Sequence, residues 1–395
     1  SGDANLTLLT GGVVQSAKTG SALRIDADAG DLTVTGTLEA QTALLDSWAG
    51  SVRMMDEAQL ATTGSVTVTA DEDITLTRIE ANGGDVVPAV ILTAGEALTD
   101  GDTAGSVTDG QVRLTAKTIG SSSNRFGLTA ARITEVIAAD DAFLAVNGQS
   151  GVLELRKAMS DGNLFDLTVE NGNLIVSDAV SAQTLAIAVA TGSLTQTDGT
   201  TMTADSDLTL TTTGDISLSQ LVTTDGRITL DAGPNGRILD STATEGTNIN
   251  GLRETASLVM NALAVGQKTL LPDGTNPGDI DISVATIADI TGGAEGVYLQ
   301  SVRGLSFGDV TITGELELDV TVGRLVLTGN QTAQRGAVTV ALGSLMQTDG
   351  KELKTSGGSL SVESFGDVTI ARIDVNGGDL TLTSDAGALL DGSLA

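Results

Sequence analysis

The residues best suited to chemistry in this sequence are its aspartates. Asp26, Asp28 and Asp31 fall close together, Asp71 and Asp73 form a second pair, and Asp100-Gly-Asp102 a third. Clustered carboxylates can hold calcium, or act as acid and base on a glycosidic bond. The first cluster opens like an ion-binding loop, but position 12 holds Thr37 where an EF-hand needs a bidentate Glu. Aspartate also bonds to nearby backbone in turns, and that reading accounts for all three groups. A sugar-cleaving cleft also needs aromatic platforms, and only seven aromatics are spread over the 395 residues. Weak structural calcium is the one metal role these aspartates leave open.

Other chemistries have no residues to carry them. The chain has no Cys and no His, which removes disulfides, thiol chemistry, the commonest general base and the commonest zinc ligand. No phosphate-binding loop of the form GxxxxGK[ST] occurs. Two sequons, at Asn5 and Asn330, are too short to carry weight. Thr-x-Thr steps recur at Thr33/Thr35, Thr67/Thr69, Thr75/Thr77, Thr209/Thr211, Thr311/Thr313 and Thr381/Thr383. On strands their hydroxyls would share one face, as in an ice-binding lattice, but solvent-facing strand threonine explains them. No catalytic, cofactor-binding or metal residue is assigned, and no cofactor is expected.

The elements that would position any such group come from repetition. Three segments align without gaps: GDLTVTGTLEAQTALLDSWAG from Gly30, GNLIVSDAVSAQTLAIAVATG from Gly172 and GRLVLTGNQTAQRGAVTVALG from Gly323. Each carries Ala-Gln at the same place (Ala40-Gln41, Ala182-Gln183, Ala333-Gln334). Matching second blocks begin at Gly50, Gly192 and Gly343. The middles correspond loosely, ADDAFLAVNGQSG from Ala139 with GGAEGVYLQSVRG from Gly292. The organisation is therefore 1–29 as the end of a preceding unit, 30–171 as the first repeat, 172–322 as the second and 323–395 as a truncated third. We expect them to form one continuous solenoid.

Within a unit, short alternating runs such as Leu208-Thr-Leu-Thr, Asp215-Ile-Ser-Leu and Arg227-Ile-Thr-Leu are broken by Gly or Asp-Gly. Alternation with period two is the strand signature. The richest helical stretch, Leu252–Gln267, is short and β-branched. With few aromatics to fill a sandwich core, and no proline linkers at unit boundaries, the pattern predicts an all-β parallel β-helix (β-solenoid) of about 20 residues per coil. At ~4.8 Å per coil the chain would make a rod of about 90 Å. The least regular stretches, Ser121–Arg125 and Thr242–Pro277, are the expected protruding loops.

Certain phrases resemble the repeats of filamentous-haemagglutinin-like giant secreted adhesins. These are Glu72-Asp73-Ile74-Thr75-Leu76, Gly214-Asp215-Ile216-Ser217-Leu218 and Gly366-Asp367-Val368-Thr369-Ile370, with Asn-Gly-Gly-Asp at Asn82–Asp85 and Asn376–Asp379. Leu390-Asp391-Gly392, and Leu114-Thr115-Ala116 with Ile119-Gly120-Ser121, are similar too. The resemblance implies a Gram-negative secreted or cell-surface filament, exported through an outer-membrane partner.

The expected function is a structural or adhesive stalk rather than an enzyme. Its partners would be neighbouring repeats of the same chain and cell-surface or matrix glycans or proteins. A net charge of −31 argues against nucleic acid and anionic membrane as partners, and no run reaches the ~20 apolar residues of a membrane span. The alternative is a polysaccharide-active β-helix lyase or hydrolase. That would need carboxylates with Arg or Lys gathered on one strand face.

Overall fold

A computed structural model describes residues 2–82, 89–101, 107–242, 246–268 and 278–393. The Gly83–Asp85 part of the first Asn-Gly-Gly-Asp phrase, Asp102, and parts of the Thr242–Pro277 stretch lie outside these residues. No described residue is helical, so no helix is long and apolar enough to cross a membrane. The chain divides into two compact units, residues 1–192 and 193–395. Each unit is a parallel β-solenoid with turns about 21 residues apart, as the alternation and glycine spacing predict.

One coil shows the plan. Strands Ala22–Ala27, Leu32–Val34 and Thr37–Ala40 form three successive walls, and the next coil repeats them as Thr42–Ser47, Val52–Met54 and Gln59–Thr62. Equivalent strands pair in parallel, Leu23 on Ala43, Leu32 on Val52 and Leu38 on Leu60. Hydrogen bonds therefore run from coil to coil rather than within a coil. Alternate residues point inward, and Leu23, Ile25 and Ala27 are all buried. Columns of aliphatic side chains result, such as Leu32–Val52–Ile74–Leu98 along one wall. Burying aliphatic area at about 25 cal/mol per Å2 is what drives this stacking.

The repeat middles are less regular. There the walls run together into long strands, Phe126–Ala138 and Ala142–Val176 in the first unit, Ser257–Val265 and Thr286–Ser301 in the second. Phe126 and Phe165 are fully buried within these long strands, and Phe307 is fully buried in the following strand Leu305–Ile312. The richest helical stretch by sequence, Leu252–Gln267, is mostly the strand Ser257–Val265. Nor is the region after Thr242 one protruding loop, since Ile249–Gly251 and Ser257–Val265 are ladder strands. Ser121–Asn124 is a tight corner closed by two backbone hydrogen bonds.

The glycines that open the repeats are corners stacked on corners. In the first unit a Cβ on Gly172 would lie 2.4 Å from the Gly151 carbonyl oxygen, and one on Gly192 2.4 Å from that of Gly172. In the second, a Cβ on Gly343 would meet the Gly323 oxygen at 1.7 Å and one on Gly366 the Gly343 oxygen at 2.5 Å. Gly172 also has φ +95°. Here glycine answers a close approach of backbone to backbone.

The aspartate that follows such a corner reaches to the next coil. The backbone N–H of Ser51 donates to Asp31 Oδ1 (3.0 Å), that of Arg237 to Asp215 (2.9 Å) and that of Ala388 to Asp367 (2.9 Å). Asn330, in one of the sequons, does the same for Glu352 (3.1 Å). The expected local turn bonds exist at Asp225 and Asp349, but in the Gly-Asp-aliphatic phrase the carboxylate works across coils. Asp215→Ala should therefore cost about 1 kcal/mol, measured as a shift in urea midpoint, with Asp215→Asn losing less because it keeps an acceptor.

Two buried glutamines serve the broad turns. Gln196 and Gln347, equivalent in the second and third repeats, are essentially inaccessible. The Gln347 amide donates to the carbonyls of Lys351 (2.9 Å) and Arg372 (2.8 Å), and its oxygen accepts from Ala371 and Arg372 N–H (3.0 Å each). The first repeat has Met54 at this position, and there the hydroxyl of buried Thr77 donates to the Ala58 carbonyl instead (2.7 Å).

Candidate functional site: charged clusters on the outer walls

Outward positions on stacked strands are neighbours in space but a whole coil apart in sequence. Ion pairs exploit this offset. Lys117 meets Glu96, Arg132 meets Glu154, Lys157 meets Glu135, Arg335 meets Glu315 and Arg372 meets Glu352. Exposed pairs of this kind contribute little to stability, because solvent screens them; each joins one coil to the next.

The most developed cluster lies on the second unit. Glu315, Glu317 and Asp319 alternate along the strand Glu315–Val322, so all three face outward. Tyr298, the only tyrosine, is the register partner of Glu317 on the coil before, and Arg335 is that of Glu315 on the coil after. Lys268 reaches Glu315 at 3.0 Å and Glu317 at 2.6 Å, with its Nζ 5.9 Å from the Tyr298 ring centre. Arg335 lies 2.8 Å from Glu315, and the Tyr298 hydroxyl donates to Glu315 at 3.3 Å. Beside it opens a cleft of about 250 Å3 lined by Arg237, Gly266, Glu295 and Tyr298 among others, with Arg237 and Glu295 paired at 2.6 Å.

Burial alone would raise the Glu315 pKa, but hydrogen bonds from Arg335 and Lys268 outweigh it and hold the carboxyl below its ordinary value. Asp319 goes the other way, raised by burial and by the charge of Glu317, with a hydrogen bond from Thr339 opposing. A raised folded-state pKa means the folded chain binds the proton more readily than the unfolded chain does. The ionised Asp319 thus costs stability at neutral pH, and the cost disappears as pH falls through its folded and then its unfolded value. Asp319→Asn should stabilise by on the order of 0.5 kcal/mol at pH 7 and by nothing below about pH 3.5, read from thermal midpoints at the two pH values.

The aspartates singled out by spacing do not converge. Asp26 faces outward beside Arg24 at 2.6 Å, Asp28 is an exposed corner residue, Asp31 caps the next coil, and Asp73 caps Ala97 at 3.1 Å. Among the described residues no three acidic side chains are grouped so as to hold a metal ion. Thr69, Thr93 and Thr115 stack on consecutive coils, but Asp46 and Ile137 end the row, so no continuous threonine lattice forms there. In the Ser121–Arg125 corner, Arg125 is anchored to Asp166 at 2.6 Å.

The Lys268–Tyr298–Glu315 cluster escaped sequence reading because its members are scattered along the chain from Lys268 to Arg335, on successive coils. The Glu-Leu-Glu-Leu-Asp run at 315–319 was the visible signal, since alternation alone puts three carboxylates on one face. No protein-family profile, no curated protein and no solved structure matches this chain.

Proposed function

We propose that this chain is a structural segment of a secreted or cell-surface bacterial filament of the filamentous-haemagglutinin-like kind, a rigid spacer that works in attachment. The observation that carries the reading is how the polar side chains are used. Corner aspartates cap the next coil's backbone, buried glutamines close turns, and cations pair with acids one coil away. Such bonding resists local opening, because freeing one coil breaks contacts to both neighbours.

The outer-wall cluster gives the alternative reading, a polysaccharide-active enzyme, the carboxylates and cations it requires. Its geometry favours the spacer. Tyr298 is only 8% exposed and lies beneath Lys268, so it offers no face for a sugar ring. Glu315 is held by three partners. The test is paired: incubation with acidic and neutral polysaccharides, followed by reducing-end assay, and timed proteolysis of the same preparation. No new reducing ends, with the chain resisting protease, supports the spacer. Turnover that Asp319→Asn or Glu317→Gln abolishes would replace it with the enzyme.

A further inference from the structure

The chain's single tryptophan stands on a corner of the first unit, 65% exposed. It follows Ser47, which stacks on Ala27 before and Ala70 after, so Trp48 lies in one corner column between Asp28 and Asp71. Asp26 and Asp46 stack on each other two residues back along the same wall. Arg24 is the only cation paired into this group among the described residues. Burial and the charge of Asp26 push the Asp46 carboxyl above its ordinary value, with Arg24 opposing. An exposed indole framed by carboxylates suits a guanidinium or ammonium group, which gains a ring face and opposite charge together.

Farther along the same wall the balance reverses. Column partners run Arg24, Leu44, Thr67, Ile91, Arg113, Glu135, Lys157. Glu135 is shared by Arg113 (2.7 Å) and Lys157 (3.0 Å), and Glu154 by Arg132 (2.5 Å) and Arg156 (2.9 Å). Four cations thus serve two glutamates across three coils, before Asp178 ends the island on the coil beyond. Arg113, Arg156 and Lys157 remain nearly half exposed. Between the two ends the outward residues Thr67, Thr69, Ile91 and Thr93 carry no charge.

We propose that the Trp48 corner is a docking site for the basic island of a second copy of this chain. One wall carries both halves of the contact, and an uncharged belt separates them. The chain's net charge of −31 repels a second copy at long range; screening over about 8 Å at physiological salt leaves the local match to decide. Seven coils of one wall cover roughly 30 by 17 Å, so the contact belongs with small, weak, reversible interfaces.

Because Trp48 is the only tryptophan, its fluorescence reports on this corner alone. We expect its emission to shift to shorter wavelength as concentration rises, in step with dimers seen by sedimentation velocity. Trp48→Ala, and separately Arg156→Glu with Lys157→Glu, should each weaken association at least tenfold with unchanged circular dichroism. Mixing the Arg156→Glu/Lys157→Glu chain with an Asp28→Lys/Asp71→Lys chain should restore association that neither has alone. If a charge-reversed chain fails to fold, Arg156→Gln and Lys157→Gln replace it, with the same loss expected. A wild-type chain that stays monomeric up to about 1 mM overturns the proposal, as does dimerisation indifferent to these changes. So does a short oligo-arginine peptide that shifts Trp48 emission while the chain alone never associates, since the partner would then be a different basic protein.

Discussion

Replacing Gly343 with alanine is expected to lower the unfolding free energy by about 3 kcal/mol or more, seen as a large drop in the guanidinium midpoint. The added carbon would sit 1.7 Å from the Gly323 carbonyl oxygen, a backbone atom that no rotamer change can remove. Relief requires two coils to part, which weakens the ladders on either side of the corner. Overpacking of ordinary cores costs about 1–3 kcal/mol because side chains can yield; here only backbone is available. Gly350→Ala is the control. Gly350 has φ +75° but open space around its Cα, so it should lose only the ~1–2 kcal/mol of a left-handed residue with a side chain. Equal losses at both sites would mean that conformation matters at these corners and stacking does not.

The second large effect is expected at Gln347. Its side chain ties two carbonyls and two N–H groups of separate turns together inside the wall. Gln347→Met keeps the length and the apolar stem but strands those groups. At about 1–3 kcal/mol for each buried polar group left unpaired, and with water reaching some of them, a loss of about 3 kcal/mol follows. The first repeat shows how methionine is tolerated, since Met54 is accompanied by Thr77, whose hydroxyl reaches the turn carbonyl. The third repeat has Ala371 at the place of Thr77. Adding Ala371→Thr to Gln347→Met should therefore recover part of the loss, while Ala371→Thr alone should not stabilise. A double variant no better than the single would show that the two repeats close this turn in unrelated ways.

Much of the architecture could be read from residue order. Gly30, Gly172 and Gly323 were legible as corners because one pattern recurred three times, and Leu208-Thr-Leu-Thr was legible as a strand because inward and outward residues alternate. The partner of each outward residue was harder to see, since it depends on coil length, which varies. Leu208 stacks on Ile228, whereas Ile228 stacks on Leu258 after a coil half as long again. Asp73 therefore reads as a turn residue, although the N–H it accepts belongs to Ala97 on the next coil. Opposite charges one coil apart, as at Lys117 and Glu96 or Arg132 and Glu154, hold the missing information once the coil is known. The Tyr298 cluster needs two such offsets at once, plus Lys268 arriving from beyond a strand end, and no single spacing reveals it.

The parallel register also governs how a chain of this kind can gain or lose sequence over time. Val66 stacks on Ala43 in the same inward column. Excising residues 43–65 would join Thr42 to Val66, and every later side chain would keep its wall and its orientation. A cut one residue longer or shorter would turn the following strand inside out, placing threonines in the core and leucines in water. Genetic change in such a gene is thus filtered into whole-coil steps, with irregular lengths tolerated only at corners. Recombination between near-identical repeats delivers steps of that kind, and a family of proteins differing in reach by integral numbers of coils is what it would leave behind.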